Sequence, residues 1–79
     1  MEIELNSMSK NVNELRVGDN FGLFSYKTLV AVYTRNGFYK TDKYYSRTTS
    51  KHINQWLGAS KAIEASSTEL DSILYSGKD

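Results

Sequence analysis

Hydrophobic and polar residues alternate in short stretches near the start of the chain, the pattern of half-buried β-strands. Residues 1–5 alternate in this way and predict a first strand, with the apolar side chains facing inward. The polar segment 6–13 predicts a loop. Gly18 and Asp19 predict a turn that leads into a further strand over residues 20–24.

A β-hairpin is the clearest element of the sequence. Residues 29–35 are rich in β-branched and aromatic side chains, Asn36-Gly37 is a strong signal for a two-residue turn, and residues 38–46 return. If Asn36 and Gly37 form the loop, Arg35 pairs with Phe38, and the register places Val30 and Val32 on the core face. The opposite face then gathers an aromatic and basic patch, which consists of Arg35, Tyr33, Phe38 and Lys40.

Two short helices follow the hairpin. Thr48-Thr49-Ser50 are N-cap residue types and predict a helix over Lys51–Leu57 that Gly58 ends. Its apolar stripe has helical spacing and comprises Ile53, Trp56 and Leu57.

The second helix has a clear beginning. Ser66 and Glu69 have the spacing of a capping box, so a helix is predicted over Ser67–Tyr75, with Gly77 ending it. This helix would bury Leu70, Ile73 and Leu74. Residues 60–65 before it fit a loop, a short edge strand or a continued helix, and the sequence leaves these three open.

These elements predict one small α+β domain over residues 1–79, with residues 1–13 and 76–79 left open as flexible ends. We expect a curved antiparallel sheet of three or four strands, open or closing toward a barrel, packed with two short helices. Cysteine is absent, so disulfides cannot add to the stability of the domain. The predicted core comprises Phe21, Leu23, Val30, Val32, Ile53, Trp56, Leu70 and Ile73.

Charge is distributed unevenly along a chain whose net charge is only +1. Residues 25–61 contain seven Lys or Arg side chains and one acidic side chain, whereas both flanking segments are acidic. The basic segment also contains seven aromatic residues, and this combination is typical of a surface that meets a polyanion. Strands also favour tyrosine and exposed strand positions are often lysine, so an ordinary solvated sheet remains an alternative.

The leading hypothesis is a non-catalytic protein that binds nucleic acid. The residues expected to contact phosphates are Arg35, Lys40, Lys43, Arg47 and Lys51, and those expected to stack on bases are Tyr33, Phe38, Tyr39 and Tyr44. The alternative from another class is a protein that binds and modulates a host enzyme or defence protein through the same patch. A third alternative is that the patch forms a homodimer interface.

Nothing in the sequence predicts an enzyme, a cofactor or a metal site. His52 is the single histidine, and no serine lies in a nucleophile motif, so His52 is expected to be a surface residue. The longest apolar run covers only residues 29–33, whereas a membrane-spanning helix needs about 20 residues. We therefore expect no membrane partner.

From Asn20 to Leu74 the chain resembles small bacteriophage-encoded domains of unknown function. The resemblance rests on a tyrosine-rich strand that leads into Thr-Thr-Ser-Lys-His-Ile-Asn-x-Trp-Leu at residues 48–57, followed by a strand-like link and a final helix over residues 61–75. It implies a viral origin and action in the cytoplasm of the infected host cell. It implies no activity and no catalytic residue.

Overall fold

The computed structural model describes residues 3–9, 11–58 and 60–76. These residues form strands and helices in the order β1 (Ile3–Ser9), β2 (Val12–Val17), β3 (Asn20–Ser25), β4 (Thr28–Thr34), β5 (Gly37–Thr41), α1 (Arg47–Leu57), β6 (Ala62–Ala65) and α2 (Ser67–Tyr75). Within this part of the chain, no helix combines the length and the apolar composition needed to cross a bilayer.

The six strands form one mixed sheet in the order of the sequence. Strands β1 to β5 are an antiparallel meander, and β6 adds parallel to β5 after the chain has passed through α1. The predicted α+β class is therefore confirmed. The sheet is open, with β1 and β6 at its two edges, and it has more strands than the three or four predicted.

The strands beyond those predicted are β2, which begins in the segment predicted as a loop, and β6. The prediction of a loop over residues 6–13 is wrong, because β1 extends to Ser9 and pairs with β2, which begins at Val12. Pairing between strands uses backbone N–H and C=O groups, so a polar segment can join a sheet without an apolar pattern. Residues 60–65, which the sequence left open, include the edge strand β6.

The hairpin of β4 and β5 forms, but its predicted register is wrong. Thr34 pairs with Gly37 and Tyr33 pairs with Phe38, so the loop consists of Arg35 and Asn36. Thr34 Oγ1 accepts a 3.0 Å hydrogen bond from the Asn36 backbone N–H, which supports this earlier turn. The pairing differs from the predicted one by two residues, an even shift, so the β5 side chains keep the predicted faces relative to Val32 and Tyr33.

The two helices cover opposite faces of the sheet, which we call the α1 face and the α2 face. Residues buried on the α1 face are Val12, Leu23, Val30, Ala31, Ile53 and Leu57. Residues buried on the α2 face are Val17, Leu29, Val32, Ala65, Leu70 and Leu74. The fold therefore has two small cores rather than the single core predicted.

A bulge between β3 and β4 explains why two valines expected in one core lie in different cores. Leu23 pairs with Ala31 and Phe24 pairs with Leu29, so Val30 is an additional residue on β4. Such a residue shifts the alternation of side chains and increases the local twist. Val30 consequently packs on the α1 face, and Val32 packs on the α2 face.

Helix α1 begins four residues earlier than predicted. Ser46 is the N-cap, and its Oγ accepts a 3.1 Å hydrogen bond from the backbone N–H of Thr49. The predicted cap over residues 48–50 is therefore wrong, because those residues form the first turn of the helix. The helix ends before Gly58, whose φ of 62° is a conformation that glycine adopts readily.

Helix α2 has the predicted bounds and the predicted capping box of Ser66 and Glu69. Its last carbonyl groups are satisfied by a side chain from β3, because Asn20 Nδ2 donates to the carbonyl oxygens of Ile73 at 3.0 Å and Leu74 at 3.2 Å. This contact fixes the end of the helix on the sheet. The prediction that Gly77 ends the helix lies outside the described residues.

Candidate polyanion-binding end and aromatic depression

Three segments meet at one end of the sheet. Strand β3 ends there at Ser25 and β4 begins there at Thr28, because a tight turn joins these two antiparallel strands. Strand β5 also ends there, and the loop of residues 42–46 then leads into the start of α1. We call this region the basic end. Its exposed cationic side chains are Lys27, Lys43, Arg47 and Lys51.

Tyrosine side chains lie in the same region and are open to solvent. Tyr26 is 52% exposed, Tyr44 is 76% exposed and Tyr45 is 41% exposed. An exposed phenol ring offers a flat apolar surface on which a nucleobase can stack. The basic end therefore combines cations with rings, which is the combination that the sequence predicted for a different surface.

Hydrogen bonds between β3 and α1 hold the basic end together. Ser25 Oγ lies 3.1 Å from Thr49 Oγ1 and 2.9 Å from His52 Nδ1. The ring of Tyr26, in the adjoining turn, lies 6.1 Å from the ring of His52. These contacts set the position of the β3–β4 turn relative to the start of α1.

The contact between Ser25 and His52 joins β3 to α1. Ser25 is only 2% exposed, and its Oγ lies within hydrogen-bond distance of both Thr49 and His52. A nucleophilic serine must reach its substrate, and Ser25 is enclosed between β3 and α1. Among the described residues, no group of three or more His, Cys, Asp or Glu side chains comes together as a metal site requires.

The electrostatics of the basic end favour an anion. The first turn of α1 contains no acidic residue and begins with Arg47. The start of a helix carries a partial positive charge from its free N–H groups, which adds to that of the nearby cations. Asp42 is the acidic residue in the loop that leads into α1, and Glu69 lies in the first turn of α2.

The structure separates the residues that the sequence assigned to one binding surface. Lys43, Tyr44, Arg47 and Lys51 lie at the basic end. Tyr33, Phe38 and Lys40 lie on the α1 face, where Tyr33 and Phe38 are directly paired.

Two of the predicted residues lie elsewhere. Arg35 is in the β4–β5 turn at the opposite end of the sheet, where its Nη2 lies 3.3 Å from Oδ2 of Asp19. Both of these side chains are largely exposed, so the ion pair contributes little to stability. Tyr39 packs on the α2 face. The hairpin therefore does not gather all nine residues on one surface.

A row of aromatic rings crosses three neighbouring strands on the α1 face. The ring centroids of Phe21 and Tyr33 are 6.2 Å apart, and those of Tyr33 and Phe38 are 4.7 Å apart. Trp56 of α1 meets Phe38 edge to face, with centroids 5.7 Å apart and ring planes at 88°. The row lies at the margin of the region that α1 covers, and Tyr33 is 38% exposed.

These rings surround a shallow depression of about 230 Å³, which we call the aromatic depression. It is lined by Glu14, Phe21, Tyr33, Phe38 and Trp56. Glu14 Oε2 accepts a 2.8 Å hydrogen bond from Trp56 Nε1. Phe21 and Trp56 were predicted to lie in the core, and no role was predicted for Glu14. No local pattern marks Glu14 in the sequence, because its position beside Trp56 depends on the packing of α1 over β2.

Residues 3–72 match a family described as a family of unknown function, DUF8033. The chain belongs to this family. The matched range extends from β1 into α2, so it contains both the basic end and the aromatic depression. Comparisons with curated proteins and with solved structures gave no significant match.

Proposed function

We propose that this protein binds nucleic acid through the basic end and that it does so without catalysing a reaction. The observation that carries the proposal is that four exposed cations and three exposed tyrosine rings lie in the segments that meet at one end of the sheet. What supports a viral setting, in the cytoplasm of an infected host cell, is the resemblance of residues 48–57 to phage-encoded domains.

The chemistry of the basic end matches that of a nucleic-acid strand. Lysine and arginine side chains neutralise phosphates and release counterions, so binding weakens as salt increases. If all four cations contact phosphates of a single strand, the log–log slope of affinity against salt is about −3. Each base that stacks on a tyrosine adds about 1–3 kcal/mol with little sequence preference.

The backbone of the β3–β4 turn also supports the proposal. Tyr26 has a φ of 50° and Lys27 a φ of 69°, values in the left-handed region that side chains with a Cβ adopt at a cost. A two-residue hairpin turn of this kind favours Asn and Gly. Backbone strain of this sort is concentrated at functional sites, and here it places a cation and a ring at the basic end.

Fluorescence anisotropy with a labelled single-stranded oligonucleotide, measured at several salt concentrations, tests the proposal. The informative variant is Arg47→Gln/Lys51→Gln, which removes two charges from the basic end. The matched control is Arg35→Gln/Lys61→Gln, which removes two charges at the opposite end of the sheet. A labelled duplex and a labelled RNA strand of the same sequence give the preference among nucleic acids.

We expect the Arg47→Gln/Lys51→Gln variant to reduce the magnitude of the salt slope by about 1.4 and the control variant to leave it unchanged. Absence of binding by the wild-type protein at low ionic strength would contradict the proposal. Equal losses in the two variants would also contradict it, because they would indicate attraction by net charge alone.

The exposed aromatic row favours a second function, which is that of a phage-encoded protein that binds and modulates a host protein. Tyr, Trp and Phe are enriched at protein interfaces, and Tyr33 is open to a partner. A pull-down from host lysate treated with nuclease distinguishes the two functions. A stoichiometric protein partner that survives nuclease favours the second, and sedimentation at twice 9.0 kDa would indicate instead that two copies pair.

A further inference from the structure

The aromatic depression combines four rings with a single carboxylate, and this combination is distinct from the chemistry of the basic end. We propose that it binds the ammonium group of a lysine side chain, plain or N-methylated, that a partner protein presents. The proposal does not depend on nucleic-acid binding, because it uses different residues on a different part of the molecule.

The arrangement of the rings suits a compact cation. A cation placed over the face of an aromatic ring is attracted by the negative charge of that face. Trp56 stands at 88° to Phe38, and Phe38 stands at 48° to Tyr33, so the rings form a corner rather than a parallel slot. A tetrahedral ammonium contacts several faces of a corner at once, whereas a planar guanidinium stacks best on one face.

The carboxylate of Glu14 gives the depression a preference for a positively charged ligand. Its Oε2 accepts the indole N–H of Trp56 at 2.8 Å, which fixes the indole ring relative to β2. Glu14 contributes the only carboxylate among the described residues that line the depression. A negative charge beside ring faces attracts a cation and repels a phosphate, so the depression discriminates against the ligand of the basic end.

Among the described residues, the neighbouring cations Arg16 and Lys40 are not part of the lining of the depression. Arg16 is cross-strand from Phe21, and its Nε donates to the carbonyl oxygen of Gly18 at 3.0 Å, toward the β2–β3 turn. Lys40 is paired with Ala31 on one side and with Glu64 on the other.

The shape of the depression points to a side chain on a larger partner. Small-molecule sites are enclosed and typically occupy about 300–1,000 Å³, so that most of the ligand is buried. This depression is shallow and holds about 230 Å³, which suits the end of one side chain. The partner's backbone would then rest on the exposed ring of Tyr33.

The experiment compares three short peptides that differ only in one side chain: lysine, Nε-trimethyllysine, and a neutral analogue that ends in a tert-butyl group. Trp56 is the single tryptophan of the chain, so its fluorescence reports directly on occupation of the depression. We expect the cationic peptides to change this fluorescence and the neutral analogue to bind about fivefold more weakly.

Variants identify the site. Glu14→Gln keeps an acceptor for the indole and removes the charge, and Tyr33→Leu removes an exposed ring. The matched control is Glu64→Gln on β6, which removes an equal charge from a residue that does not line the depression. Each of the first two is expected to weaken the trimethyllysine peptide by about two- to fivefold, and the control is expected to leave it unchanged. Far-UV circular dichroism verifies that every variant folds.

Three results would overturn the proposal. Equal affinity for the neutral analogue would show that the depression recognises only apolar bulk. No response to any cationic peptide at millimolar concentration would show that it binds no ammonium. Choline binding as tightly as the peptides would assign the site to a free small cation. The Arg47→Gln/Lys51→Gln variant is expected to bind the peptides as tightly as the wild type does. Peptide binding by this variant would show that the aromatic depression works independently of nucleic-acid binding at the basic end.

Discussion

Trp56 on α1 and Glu14 on β2 are joined by a 2.8 Å hydrogen bond from the indole Nε1–H to a carboxylate oxygen. The two residues are 42 positions apart in the sequence, and both are partly buried. A hydrogen bond to a charged acceptor is stronger than one between neutral groups. The contact therefore fixes α1 on the sheet and sets the edge of the aromatic depression.

The coupling between these two residues is measurable. Trp56→Phe and Glu14→Ala each remove the hydrogen bond, so the double variant loses less than the sum of the single losses. We expect a coupling energy of about 1 kcal/mol, because the pair is only partly shielded from water. Urea unfolding followed by far-UV circular dichroism gives the free energies of unfolding, and strictly additive losses would show that the contact contributes no stability.

Gly22 allows α2 to approach the sheet closely. A Cβ at this position would lie 2.7 Å from Cδ2 of Leu74 and 3.0 Å from Cδ1 of Leu29, and both leucines are buried. Gly22→Ala is therefore expected to reduce the free energy of unfolding by about 1–2 kcal/mol through overpacking. The same substitution in a Leu74→Ala background should cost much less, because the shortened side chain leaves space for the new methyl group.

Lys27 is expected to lower stability and to raise nucleic-acid affinity. Its φ of 69° favours glycine, so Lys27→Gly should raise the free energy of unfolding by about 0.5–1 kcal/mol. Lys27→Ala is the matched control, because it removes the same charge and keeps the backbone cost. Both variants should bind an oligonucleotide equally weakly, and only the glycine variant should be more stable. A gain of stability in both would contradict the assignment of strain.

The stability of α2 should depend on pH through Glu69. Its carboxylate accepts the backbone N–H of Ser66 at 3.0 Å, and this bond together with the Ser66 side chain holds the pKa of Glu69 below its ordinary value of 4.5. A carboxyl whose pKa is lowered by folding stabilises the fold above its ordinary pKa and loses that contribution as pH falls through the lowered value.

Thermal unfolding of the wild type and of Glu69→Gln across the acidic range tests this dependence. The wild type should melt at a higher temperature at neutral pH, and the difference should shrink once the pH falls below 4.5. At lower pH both side chains are neutral, so the two melting temperatures should converge. A difference that stays constant with pH would show that the charged carboxylate is not what caps the helix.

The sequence predicted those elements whose signals are local. Ser66 and Glu69 satisfy each other within one turn of helix, so their spacing alone fixed the start of α2. Asn36-Gly37 likewise predicted the hairpin, but the two-residue loop consists of Arg35 and Asn36. The register depends on Thr34, whose side chain accepts a hydrogen bond from the Asn36 N–H. The spacing of residues in the sequence does not predict this hydrogen bond.

Features that depend on distant contacts were missed. The first strand was predicted to end at residue 5, and its polar continuation to Ser9 reads as a loop but becomes a strand because β2 offers it a backbone partner. The Ser46 cap and the start of α1 at Arg47 were missed for a related reason, since Thr49 is buried by its contact with Ser25 of β3 rather than used as a cap. The predicted binding residues are consequently divided among the basic end, the α1 face, the β4–β5 turn and the α2 face.

The parallel addition of β6 to β5 has a consequence for the route by which the chain folds. The meander of β1 to β5 closes through short turns, whereas β6 can join only after residues 42–61 have been arranged over the sheet. Joining distant segments is slower than closing a hairpin, because more chain entropy is lost first. Until that step, the outer edge of β5 has unpaired backbone groups beside Phe38 and Tyr39. An exposed strand edge is a template for pairing with another chain, so self-association of nascent chains through β5 is expected to compete with the addition of β6.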